Sequence, residues 1–183
     1  MDYGAIARFI HEAGQLKKNP RSGWLSIGIK NPESIADHSW RTALIGFLLA
    51  RMEGADANRV VEMCILHDLP ESRIGDLNYV SARYVKKDLT SAVSDQLNGI
   101  FCASEISSII SEFSERKTKE AIIAKDADLL EMIAQARDYI DSGNSYAVEW
   151  IKDARRKLKT RSARRLAAAL SRISSNEFWL HLK

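Results

Sequence analysis

Cysteine is almost missing from this chain: of 183 residues only Cys64 and Cys102 are cysteines, and neither sits in a CxxC pair. That excludes a disulfide scaffold and a cysteine-ligated zinc or iron–sulfur centre. Two isolated thiols fit a reducing compartment, so the cytoplasm is the expected location, with both thiols packed rather than reactive. Proline and glycine are sparse, three and nine residues, too little punctuation for a many-stranded protein. No apolar run approaches the roughly 20 residues that cross a bilayer. The opening Met1-Asp2-Tyr3-Gly4 has no basic n-region leading into an apolar stretch, so neither a secretory signal nor a membrane partner is expected.

Long stretches instead carry Ala, Leu, Ile, Glu, Lys and Arg, residues that favour helices. This length suits one domain. The expectation is an all-α, single-domain helical bundle over residues 1–183, with no repeat or linker. Apolar groups at Ile6, Phe9, Ile10 and Ala13 predict a helix over 2–18, stopped by Asn19-Pro20. Arg21 to Lys30 reads as a loop. Asn31-Pro32-Glu33 supplies a cap, a first-turn proline and an acid at a helix start. That helix runs to about Met52 with Trp40, Ala43, Leu44, Phe47 and Leu48 on one side. A third helix starts near Asp56 and puts Val60, Met63, Cys64 and His67 on one face; Pro70 disturbs its end. Two or three helices follow between Tyr79 and Phe113. Thr118 to Asp141 forms the longest helix, ended by Ser142-Gly143-Asn144. Another spans Ser145 to about Leu170, and Ser174 to Lys183 makes a short tail.

Charge is uneven. From Lys152 to Arg172 there are nine basic residues and one acid, Asp153, leaving 18 of the 27 basic and 23 of the 24 acidic side chains elsewhere, a net −5. A basic segment could touch nucleic acid. A solvated helix face is the preferred reading, because no aromatic residue lies between Ile151 and Arg172 to stack on bases.

Chemistry concentrates around two of the four histidines. His11 and His181 stand alone and receive no role. His38 follows Asp37 at the start of an apolar helix, and His67-Asp68 comes straight after Cys64-Ile65-Leu66. An ionisable pair at the edge of an apolar run needs a partner or a metal. On a continuing helix Glu71 stands beside both, and Asp76 follows in a Gly-Asp turn.

His38, then His67-Asp68, then a late aspartate resembles the HD-domain superfamily of metal-dependent phosphohydrolases. Four blocks in order are similar to the HD-domain 5′-deoxynucleotidases: Arg21-Ser22-Gly23-Trp24; Asn31-Pro32-Glu33-Ser34-Ile35-Ala36-Asp37-His38; His67-Asp68-Leu69-Pro70-Glu71 through Gly75-Asp76-Leu77; and Asp128-Leu129-Leu130-Glu131-Met132-Ile133-Ala134-Gln135-Ala136. Together they place the motif-bearing core at about residues 5–150, with residues 151–183 as a basic C-terminal segment.

The resemblance implies one divalent metal held by His38, His67, Asp68 and Asp128. Periodicity sets Asp126 closer than Asp128 to the stripe of Ile122, Leu129, Ile133 and Ile140; the resemblance chooses Asp128, and Asp126 is the fallback. Two imidazoles and two carboxylates suit Mn²⁺, Co²⁺, Fe²⁺, Ni²⁺ or Zn²⁺, and the ligand types alone do not choose; Mn²⁺ or Co²⁺ is the expected ion. Glu71 would orient or deprotonate water and Asp76 would protonate the leaving sugar oxygen, or the two would exchange roles. Arg21 offers a fork for phosphate, and the resemblance puts Trp24 beside the sugar, excluding a ribose 2′ hydroxyl. Lys119 and Lys125 are further candidates for phosphate contact, but nothing in the sequence singles them out. Pro70 is an awkward residue inside the His-Asp segment and leaves the placement of Glu71 open.

The implied reaction is hydrolysis of deoxyribonucleoside 5′-monophosphates. The alternatives are an HD phosphohydrolase for nucleoside triphosphates or cyclic phosphodiesters, and a nucleic-acid-binding module using residues 152–172. The resemblance, with Trp150, Phe178, Trp179 and Leu180 as late apolar surface, also implies a homodimer.

Overall fold

The computed structural model describes residues 1–180 and Leu182; His181 and Lys183 lie outside the described residues. Among these the chain is helical, with no strand and one isolated antiparallel bridge between Pro20 and Ser34. The all-α expectation holds. No described helix is long and apolar enough to cross a membrane.

Helix α1 (Tyr3–Ala13) starts where the Asp2 carboxylate accepts from Ala5 N, and ends in a 3-10 turn, Gly14–Lys17. The expected loop contains one helical turn, α2 (Ser22–Leu25). Helix α3 (Ile35–Glu53) begins later than Asn31-Pro32 suggested. Ser34 Oγ accepts from Asp37 N while the Asp37 carboxylate accepts from Ser34 N. That reciprocal pair satisfies two otherwise orphaned groups and outcompetes the proline signal. Gly54, at φ 64°, closes the helix in the left-handed region.

Helix α4 (Ala57–Leu66) is capped by Asp56 as expected. It does not continue through Pro70: α5 (Glu71–Ile74) is a separate turn that Pro70 precedes. Glu71 therefore reaches the His67–Asp68 region across a break, not along one helix face. Then come α6 (Leu89–Gln96), α7 (Ala103–Glu115) and α8 (Lys119–Asp141).

The single helix expected over 145–170 is two, α9 (Val148–Lys157) and α10 (Arg161–Leu170), after a 3-10 turn at Ser145–Ala147. Asp126 causes the break. Its carboxylate accepts from Lys159 N at 2.9 Å and Thr160 N at 2.7 Å, fixing the corner from which Thr160 caps α10. A single turn, α11 (Glu177–Leu180), is the last described helix.

Helix α8 runs through the centre, packed by α3, α4, α7, α9 and α10. Its Ile123, Leu130 and Ile133 are fully buried, each contributing about 1.5–3 kcal/mol of burial. Ala121, Ala124 and Ala127 are also fully buried and keep its surface low. Gly46 of α3 completes the close approach: a Cβ there would fall 2.7 Å from Cys64 Sγ, 3.0 Å from Val60 Cγ1 and 3.6 Å from Ala127 Cβ. Three helices thus meet where no side chain intrudes. The buried side of α3 carries His38, Thr42, Ile45 and Leu49, while Trp40, Leu44, Phe47, Leu48 and Met52 are exposed.

Candidate metal centre

His38 lies one turn into α3 and is completely buried. Its Nδ1 is 2.5 Å from Glu131 Oε2. A carboxylate accepts, so Nδ1 donates, and Nε2 is the nitrogen left to a ligand when the ring is neutral. His67 caps the end of α4, and its Nδ1 is 2.9 Å from Cys64 O. A carbonyl only accepts, so the same logic leaves His67 Nε2 as the lone-pair nitrogen of the neutral ring. That atom is buried and hydrogen-bonded to nothing.

Asp128 of α8 completes the convergence. Its Oδ1 is 3.1 Å from His38 Nε2, while Oδ2 pairs with the Lys125 ammonium one turn back. His38, His67 and Asp128 each place one ligand atom within 4.8 Å of the others. Asp68 joins from the more open side, with Oδ2 3.2 Å from His67 Nε2 and 3.8 Å from His38 Nε2. Asp126 faces the α9–α10 corner and is no part of this cluster.

A divalent cation fits these residues. His67 Nε2, buried without a hydrogen-bond partner, and His38 Nε2, once its proton leaves, face ionised carboxylates and match the donors such an ion takes. Burial opposes the charge on Asp128, but Lys125 and His38 outweigh it and hold the carboxyl well below its usual range. Burial likewise opposes ionisation of Asp68, and the neighbouring His67, Arg21 and His38 more than reverse it. Burial and Arg21 disfavour a proton on His38, yet Glu131 and Asp128 push its pKa up to about 10. Binding a cation there displaces that proton.

Glu33, His38 and Glu131 form a second acidic group, and it does not call for a second ion. Arg41 already fills it, donating to Glu131 Oε1 through Nε at 2.9 Å and Nη2 at 2.7 Å, and to Asp138 through Nη1 at 2.9 Å. Glu131, fully buried, is the residue that sequence reasoning passed over. Its signal was present: an acid between Leu130 and Ile133, three residues after Asp128, on the buried side of the longest helix.

Arg21 and Asp76 also come to the cluster. Arg21 Nη1 is 3.2 Å from Asp68 Oδ2 and 3.9 Å from Asp76 Oδ1. Asp76 Oδ2 accepts from Ser22 N at 2.6 Å, and Ser22 Oγ donates to the Asp76 carbonyl at 3.0 Å, so Asp76 anchors the turn that presents Arg21. Glu71 is buried; burial first, then the charge of Asp68, push its carboxyl up to about 7, against the pull of Lys87.

Trp24 is placed differently. Only 3% exposed, its indole donates to Glu33 Oε1 at 3.0 Å and packs on the Tyr139 and Trp150 rings at 5.1 and 5.4 Å. These partners are none of the four expected ligands, and Trp24 belongs to the wall beside Glu33. Trp150 is thereby drawn inward and is not free surface. Of the two lysines left undistinguished by sequence, Lys125 binds Asp128, whereas Lys119 donates to Glu53 O and Gly54 O at the end of α3.

A profile of the HD domain matches residues 13–171. The protein named 5′-deoxynucleotidase HDDC2 in Dictyostelium discoideum is 33% identical over 144 residues, covering 72% of this chain and 75% of its own length. The Schizosaccharomyces pombe protein named 5′-deoxynucleotidase hdd1 is 32% identical, covering 74% and 72%. Among solved structures, a conserved hypothetical protein from Pyrococcus furiosus superposes with a TM-score of 0.76 at 34% identity, over 91% of this chain and 99% of that one.

Proposed function

The chain belongs to the HD domain family, and we infer that it hydrolyses deoxyribonucleoside 5′-monophosphates to deoxynucleoside and phosphate. Similarity over most of the chain to proteins named 5′-deoxynucleotidases supports the substrate class. One structural observation carries the chemistry: a buried His67 Nε2 without a hydrogen bond, converging with His38 Nε2 and Asp128 Oδ1.

His38, His67, Asp68 and Asp128 would hold one divalent ion, Mn²⁺ or Co²⁺ being the preferred choices. Such an ion supplies acidity to water and neutralises charge on phosphoryl oxygens. The chain's own residues do the rest. Glu71 takes the proton of the attacking water; its Oε2 is buried and unpartnered, and a carboxyl near 7 suits proton transfer at neutral pH. Proton delivery to the leaving sugar oxygen is assigned to Asp76, which must first take up a proton because its carboxylate accepts from Ser22 N and faces Arg21; the exchanged assignment, with Glu71 as donor, uses the same two groups. Arg21 turns its guanidinium fork to the phosphate. Trp24, pinned by Glu33, Tyr139 and Trp150, makes a wall that does not retreat for a 2′ hydroxyl.

Product analysis tests the reaction class. Deoxynucleoside monophosphates yield orthophosphate; release of pyrophosphate or tripolyphosphate from triphosphates, with no monophosphate turnover, contradicts it. A homodimer is part of this reading, supported by the exposed stripe of α3 and by exposed Phe178 and Leu180, and a light-scattering mass of one chain refutes it. The unpaired Cys64 and Cys102 support a cytoplasmic location.

A further inference from the structure

Glu71 is gripped by a side chain from outside every segment that the sequence marked. Lys87, in the stretch leading to α6, places Nζ 2.9 Å from Glu71 Oε1. The other oxygen, Oε2, is buried with no hydrogen-bond partner. Backbone contacts fix the rest of the residue: Glu71 N donates to Asp68 O at 3.0 Å, and Asn19 Nδ2 donates to Glu71 O at 3.1 Å.

The terminal torsion of a glutamate is broad, so the plane of an unrestrained carboxylate swings and neither oxygen keeps a fixed direction. A charge-assisted hydrogen bond to one oxygen removes that freedom. The side chain of Lys87 is 28% exposed, so it is neither a core residue nor a free surface charge.

We propose that Lys87 is a positioning residue for the hydrolysis, its ammonium holding Glu71 Oε1 so that Oε2 alone is presented to the attacking water. This rests on the reading of Glu71 as proton acceptor given above. Lys87 acts through Glu71, which separates it from a lysine that binds the phosphate directly.

Steady-state hydrolysis of dAMP with Mn²⁺ is measured for the wild type, Lys87→Met, Lys87→Arg, Glu71→Gln and the Glu71→Gln/Lys87→Met double variant, each with its melting temperature. Lys87→Met lowers kcat about 10- to 100-fold, as loss of orientation does, and leaves KM and melting temperature near those of the wild type. Lys87→Arg restores most of kcat. In the Glu71→Gln background Lys87→Met has no further effect, because the two act as one unit. Four results overturn the proposal: unchanged kcat in Lys87→Met, a raised KM at constant kcat, additive losses in the double variant, or a large fall in melting temperature. Full activity in Glu71→Gln alone removes the Glu71 reading itself, a result obtained independently of the lysine variants.

Discussion

His38 Nε2 stands 3.1 Å from Asp128 Oδ1, joining the first turn of α3 to the middle of α8. Each atom is held from behind, His38 through Glu131 and Asp128 through Lys125. The pair therefore depends on how α3 and α8 pack as well as on the two residues themselves.

The two aspartates of α8 separate metal binding from folding. Asp128→Asn abolishes tight Mn²⁺ binding in calorimetric titration while the metal-free protein still folds, with a melting temperature lowered by loss of the pairs to Lys125 and His38. Asp126→Ala keeps the binding stoichiometry and destabilises the fold by about 1–3 kcal/mol, because the part-buried donors of Lys159 and Thr160 lose their acceptor. The opposite pattern would assign the ligand to Asp126.

Glu131→Gln retains the fold and weakens cation binding by roughly 10- to 100-fold, the usual effect of removing a partner that orients a ligating histidine. The same titration checks it. Unchanged affinity would mean that the Glu131 contact does not set the His38 ring.

Gly46→Ala tests the close approach of the three ligand-bearing helices. Alanine favours a helix over glycine by about 0.5–1 kcal/mol, but its Cβ would lie 2.7 Å from the buried Cys64 sulfur. Overpacking of this kind costs about 1–3 kcal/mol, so net destabilisation is the expected result in denaturant unfolding. Cys64→Ala in the same chain recovers part of it.

Glu71 gives a pH-dependent stability of definite sign. Burial, then Asp68, raise its folded pKa to about 7 from an ordinary 4.5. The folded state thus binds the proton more tightly than the unfolded state, and stability falls as pH rises from 4.5 through 7. In metal-free protein Glu71→Gln melts above the wild type at pH 8, and the difference vanishes near pH 4. A constant difference across that range would contradict the assignment.

Much of this was readable from the chain. Helix α8 follows from its unbroken run of good helix formers between Thr118 and Gly143, and α4 from the Asp56 cap. His38, His67, Asp68 and Asp128 were named from motif order, and the structure brings all four together. What escaped were relationships carried by contacts distant in sequence. The corner at Leu158–Thr160 exists because Asp126 binds it from α8, and no local signal in a basic, alanine-rich stretch marks a break. The start of α3 was a local misreading: Ser34 with Asp37 caps it, not Asn31-Pro32. Periodicity showed an apolar stripe on α3 without showing that Trp40 and Leu44 face solvent while His38 and Leu49 are buried. Lys87 carries no motif at all and is identifiable only by its distance from Glu71.

A phosphate-release assay decides whether this cluster serves a cation-dependent phosphomonoesterase. With Mn²⁺ or Co²⁺ the purified chain should liberate orthophosphate from dAMP or dTMP and far less from AMP, with the activity lost on chelation and in Asp68→Ala. No turnover of any deoxynucleoside monophosphate with Mn²⁺, Co²⁺, Fe²⁺, Ni²⁺ or Zn²⁺, or equal turnover by Asp68→Ala, would contradict it.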